Sequence, residues 1–180
     1  MPDLPQYEFP VPDQTLTRPG GPVVTSVKTL TALSDIRRDK LLPQLYGRVA
    51  IARSNMTEMS HRYGKARPPD WLDAIDDRPD AQIPERCDTA TPSEKITLQA
   101  AIGAGASLVL LDGTIKEKAK LSFIKSEGAV SILVSAYRHG LLSAVKPMVI
   151  ALEKLGHADV LPEPDLLDAL WEALDRLSEQ

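Results

Sequence analysis

Ser107-Leu108-Val109-Leu110-Leu111-Asp112 places four successive apolar residues between two glycines, Gly105 and Gly113. An unbroken apolar run of that length fits a strand covered on both faces, the mark of a central strand in a parallel sheet. Asp112 then falls at the carboxyl end of the strand, which in an open α/β sheet faces the ligand crevice. Two uses of that acid stand side by side: chemistry or metal binding in the crevice, and capping of a helix beginning near Thr114.

Working outward, strands and helices alternate. Val23-Val24-Thr25-Ser26 is short and β-branched and suits a first buried strand. Leu30, Leu33, Ile36, Leu41, Leu42 and Leu45 follow at mostly helical spacing, broken or restarted at Pro43. Residues 47–52 read as a second strand, and Ser54 or Asn55 would cap a helix running to Gly64. Residues 65–90, rich in Pro and Asp, read as a long loop holding a short strand or turn, anchored by Trp71, Leu72 and Ile75. Thr91-Pro92-Ser93-Glu94 combines a cap, a proline at the first helical position and an acid in the first turn. Its helix should end near Gly103 or Gly105. Further helices are expected over 115–124, from Ala129 to Arg138-His139-Gly140, over 141–155 and over 164–177. This order implies a parallel sheet covered on both faces, with a helical C-terminal part. No internal repeat is present.

Residues 1–21 carry Pro2, Pro5, Pro10, Pro12 and Pro19 and close on Gly20-Gly21, so they read as an extended arm able to dock through Tyr7 and Phe9. The remainder, 22–178, is expected to be one domain. No apolar run approaches a membrane span and the first residues lack a signal-peptide pattern, so a cytoplasmic location is the default expectation. Cys87 is alone and reads as a bystander thiol in a polar loop. His61, His139 and His157 show no ligand spacing; His139 beside Gly140 reads as a helix-end cation. The net charge of −4 argues against a non-specific duplex-binding surface, although Arg37 to Arg67 and Lys116 to Lys125 are locally basic. No glycine-rich phosphate loop occurs, and Gly105-Ala106-Ser107-Leu108-Val109 lacks the last glycine of a nucleophile elbow.

What remains is acidic: Glu58 on a helix, Glu94 at a helix start and Asp112 at a strand end. Carboxylates of this kind hold a hard divalent ion that orients water for phosphodiester hydrolysis. The blocks Leu41-Leu42-Pro43-Gln44-Leu45-Tyr46-Gly47-Arg48-Val49, residues 104–112 and Gly140-Leu141-Leu142-Ser143-Ala144-Val145-Lys146-Pro147 resemble, in order and spacing, the PIN-like family of small predicted nucleic-acid-binding proteins. The likeness covers about Val23 to Leu177. It implies a three-layer αβα fold, and in active members a Mg²⁺- or Mn²⁺-dependent ribonuclease, often the toxin half of a toxin–antitoxin pair.

Carried across position by position, the resemblance assigns Glu58, Glu94 and Asp112 as surviving acids, in the catalytic and metal-binding roles. Ser26, Ile96 and Gly113 stand where the family carries acids. Serine is a weaker Mg²⁺ ligand than a carboxylate, and isoleucine does not coordinate. Lys28 brings positive charge to the first strand end, where it would repel a cation or contact phosphate; Arg53 and Lys116 join it as candidate nucleic-acid contacts. The expectation is a degenerate PIN-like domain that binds RNA or an antitoxin-like protein, with metal-dependent cleavage weakened or lost. The alternative is an active Mg²⁺-dependent endoribonuclease. The resemblance also implies a homodimer.

Overall fold

A computed structural model describes residues 19–62 and 68–178, Arg62 by its backbone alone. The expected arm therefore lies outside the described residues except for Pro19 to Gly21, as do Lys65 and Arg67 of the basic segment.

Five strands form one sheet: β1 (Val23–Thr25), β2 (Val49–Ala52), β3 (Leu72–Ile75), β4 (Leu108–Leu110) and β5 (Ser126–Glu127). Their order is β3-β2-β1-β4-β5 and every pairing is parallel, with Val24 aligned to Ala50 on one side and Val109 on the other. Parallel pairing requires a crossover between successive strands, and the helices supply it. They are α1 (Val27–Asp35), α2 (Leu41–Tyr46), α3 (Arg53–Arg62), α4 (Pro92–Gly103), α5 (Thr114–Leu121), α6 (Ala129–Arg138), α7 (Lys146–Lys154) and α8 (Pro164–Ser178).

Because successive strand side chains point to opposite faces, the short apolar strands feed two cores. Val23, Val49, Ile51, Leu108 and Leu110 join α1, α2 and α6 in one core, which α7 and α8 extend. Val24, Ala50, Val109 and Leu111 join α4 and α5 in the other. The result is a three-layer α/β arrangement with helices on both faces of a parallel sheet, as the apolar strands imply. Cys87 belongs to the second core, fully buried, rather than to a polar loop; burial pushes its thiol pKa up.

The chain departs from its sequence reading in three places. α3 starts at Arg53, before either expected cap, because Asp77 from beyond β3 accepts from the backbone N–H of Ser54 (3.0 Å) and from its hydroxyl. By contrast, the short strand or turn expected within the loop of residues 65–90 forms as β3, between the expected anchors Leu72 and Ile75, and pairs with β2 along its whole length. β5 is two residues long, too short to carry a pattern. The expected helix over 141–155 is confined to α7, whose second residue is Pro147.

Candidate functional site

The strand order reverses between β1 and β4, β2 and β3 lying to one side and β4 and β5 to the other, so their carboxyl ends define the switch point where α/β proteins open a crevice. Two residues meet there. Ser26 follows β1 and caps α1, accepting from Thr29 N at 3.2 Å. Asp112 follows β4 and is only 2% exposed.

Asp112 is a cap, but for a helix other than the adjacent one. Its Oδ2 accepts from Thr29 Oγ1 at 2.7 Å, and both carboxylate oxygens lie 3.1 Å from Ala129 N, the first amide of α6. The N-cap of α6 is Gly128, which has no side chain to do this work. A Cβ at Gly128 would sit 2.3 Å from Asp112 Oδ1, so the carboxylate fills the space that a capping side chain normally takes. Ser26 Oγ donates to Thr29 Oγ1 at 3.0 Å, completing a chain of hydrogen bonds from β1 to α6. Burial pushes the Asp112 pKa up to about 6, countered in part by the Thr29 and Ala129 bonds and by Lys116 and Lys28.

On the β1 side a cavity of about 330 Å³ is lined by Ser26, Lys28, Glu58, Thr91, Glu94 and Asp159, among others. Glu94 enters it from a complete capping box: its Oε2 accepts from Thr91 N at 2.8 Å while Thr91 Oγ1 accepts from Glu94 N at 3.3 Å. Its other oxygen faces Lys28. The Lys28 ammonium lies 3.7 Å from Glu94 Oε1 and 3.2 Å from Asp159 Oδ2. It also lies 3.6 Å from where a Cβ at Gly113 would stand. Glu58 is exposed on α3 at the rim.

On the β4 side Asp112 contributes instead to a second cavity, about 350 Å³, with Lys116, Lys120, Glu127, Ser131 and Arg138. There Glu127 accepts from the Tyr46 hydroxyl at 2.7 Å. Burial and that carboxylate together raise the Tyr46 pKa. Two of the three expected acids, Glu58 and Glu94, thus share a cavity with Ser26 and Lys28, while the third opens to the other side. Lys28 and Lys116 flank Asp112, whereas Arg53 stands apart, 3.5 Å from Asp76.

Asp159, Thr29 and His157 escape a sequence reading. Asp159 lies in a single 3₁₀ turn (Ala158–Val160), and His157 Nε2 lies 2.7 Å from Asp35 Oδ2, 122 residues away in sequence. Thr29 alone left a trace, standing three residues after the capping Ser26, the spacing at which a cap meets the first helical turn.

The elements and the site define a three-layer parallel α/β protein with acids at its switch point. A family model described as PIN domain matches residues 22–164, and the chain belongs to the PIN-domain family. Searches of curated proteins and of solved structures found no match. PIN domains are nuclease-like and generally use Mg²⁺ or Mn²⁺, so the donor set decides whether such an ion fits. It does not fit well. The Asp112 oxygens are committed to Thr29 and Ala129, Glu94 and Asp159 already share an ammonium, and no three His, Cys, Asp or Glu among the described residues are grouped to hold one ion.

Proposed function

We propose that this chain is a PIN-family domain in which a lysine has taken over the electrostatic task of the divalent ion, leaving a crevice that binds nucleic acid without metal-dependent cleavage. The observation that carries this reading is the Lys28 ammonium between Glu94 and Asp159. Two carboxylates facing one crevice need a cation; a tethered one supplies it at no cost in ion affinity and repels a second. An ammonium neutralises charge but cannot lower the pKa of a bound water as a metal does, so the reading removes the nucleophile along with the ion. Lys28 is about one-third exposed and can turn toward a phosphate, and Lys116, 22% exposed, offers a second contact across Asp112. RNA is the ligand favoured by family membership.

Fluorescence anisotropy with a single-stranded RNA, paired with a cleavage assay, tests this. Wild-type protein should bind RNA, weaken as salt rises, and leave the strand intact in Mg²⁺ or Mn²⁺. Cleavage that EDTA abolishes and that Glu94→Gln removes would establish the alternative, an active endoribonuclease.

A further inference from the structure

Four helices close in the same way, α7 beside the crevice, where its Gly156 lines the β1-side cavity. In α1, α4, α6 and α7 the chain leaves through a left-handed residue whose amide, with the next, bonds back into the last turn; three of those residues are Gly105, Gly140 and Gly156, and the fourth is Arg37. α5 closes identically, with Phe123 N bonding to Lys120 O and Ile124 N to Ala119 O, but the left-handed residue is phenylalanine at φ +63°. Glycine suits this position because a side chain there is strained. The ring recovers nothing from the described fold, since Phe123 is 98% exposed. A strained aromatic without a fold partner marks a contact surface.

Beside it Leu121 is 63% and Ile102 39% exposed, and a cavity of about 260 Å³ opens among Leu98, Ile102, Gly105, Ser107, Phe123 and Ile124. The N-terminal segment enters the fold at this spot. Ser107 Oγ donates to Gly21 O at 2.9 Å, Ser107 N to Pro22 O at 2.9 Å, and the space at Gly21 is bounded by Ser107 and Gly105. Residues 1–18 carry Tyr7 and Phe9 with Asp3, Glu8 and Asp13 against one base, Arg18, while the exposed Lys125 lines the patch. At about 3.3 Å per extended residue, Phe9 has a reach of roughly 30 Å from Pro19. We infer that residues 1–18 of the same chain seat an aromatic side chain on the Phe123 patch, so that the acidic arm closes the end of the sheet remote from the crevice.

Thermal unfolding of full-length variants tests this. In a chain carrying Tyr7→Ser and Phe9→Ser, Phe123→Gly should raise the Tm by relieving the left-handed residue; in the otherwise wild-type chain it should lower the Tm or leave it unchanged. Equal upward shifts in both backgrounds would overturn the inference. Oxidation of a Phe9→Cys, Lys125→Cys chain should give a crosslink at monomer mass, absent when Lys125→Cys is replaced by Lys40→Cys. A crosslink at dimer mass only, or single-stranded RNA binding that Phe123→Ser weakens while the arm is intact, would give the patch to another occupant and overturn it.

Discussion

The two sides of the β1–β4 switch point use their acids in opposite ways. On the β4 side Asp112 is only 2% exposed, and both its oxygens accept from the fold, Oδ2 from Thr29 and both from the first amide of α6. On the β1 side Glu94 and Asp159 remain near solvent and share Lys28. The lesson is that the fold itself uses both acids, Asp112 as a cap and Glu94 through its capping box.

The sharpest way to break that contrast is Asp112→Ala. It strands a buried amide and a buried hydroxyl, each costing about 1–3 kcal/mol, so urea unfolding should show a loss of roughly 3 kcal/mol. A loss below about 0.5 kcal/mol would show that α6 does not need the carboxylate. Gly128→Ala comes next, because its Cβ would press into Asp112 Oδ1; overpacking of this kind costs about 1–3 kcal/mol. In an Asp112→Ala background the same change should cost far less, and a double-mutant cycle reads that coupling directly.

The contrast should also be visible in pH. Asp112 titrates higher in the folded protein, about 6, than its ordinary value of 3.8, so the folded state holds its proton longer than the unfolded chain. Its contribution is therefore present at low pH and declines as pH rises from about 4 to about 6, then stays level. Asp73, held down by Arg48, and Asp77, held down by Ser54, act in the reverse sense: their contribution is present at neutral pH and lost on acidification. Asp112→Asn should remove the declining component alone, which unfolding midpoints measured from pH 3.5 to 7 would reveal.

The smallest effect is expected on the β1 side. Lys28→Met removes a partly exposed ion pair, worth less than about 1 kcal/mol, and the loss should shrink as salt screens the remaining carboxylates. A salt-independent loss above 2 kcal/mol would place Lys28 in the fold rather than in the crevice.

Much of this architecture is legible along the chain because its signals are local. The start of α4 sits within four consecutive residues, Thr91 to Glu94, and the capping box forms as they suggest. The apolar runs at Val23 and Leu108 read as central strands because both faces are buried. What escapes is what depends on distance. One of the two uses open to Asp112 in the sequence is a cap for the helix beginning near Thr114, two residues ahead, but its partner amide is Ala129, 17 residues on. The short strand expected within the Pro- and Asp-rich loop forms as β3, but its partner, β2, could not be read from its own composition. Asp159, the second partner of Lys28, sits in a turn with no periodicity to mark it.

The central claim, that a lysine stands in for the divalent ion, is tested most directly by calorimetric titration with Mn²⁺ of wild-type protein and of a Ser26→Asp, Lys28→Ala variant. The account predicts no heat of binding from wild type at millimolar Mn²⁺ and measurable binding once the ammonium is gone and a carboxylate is restored beside Glu94. Micromolar Mn²⁺ binding by the wild-type chain that Glu94→Gln abolishes would contradict it.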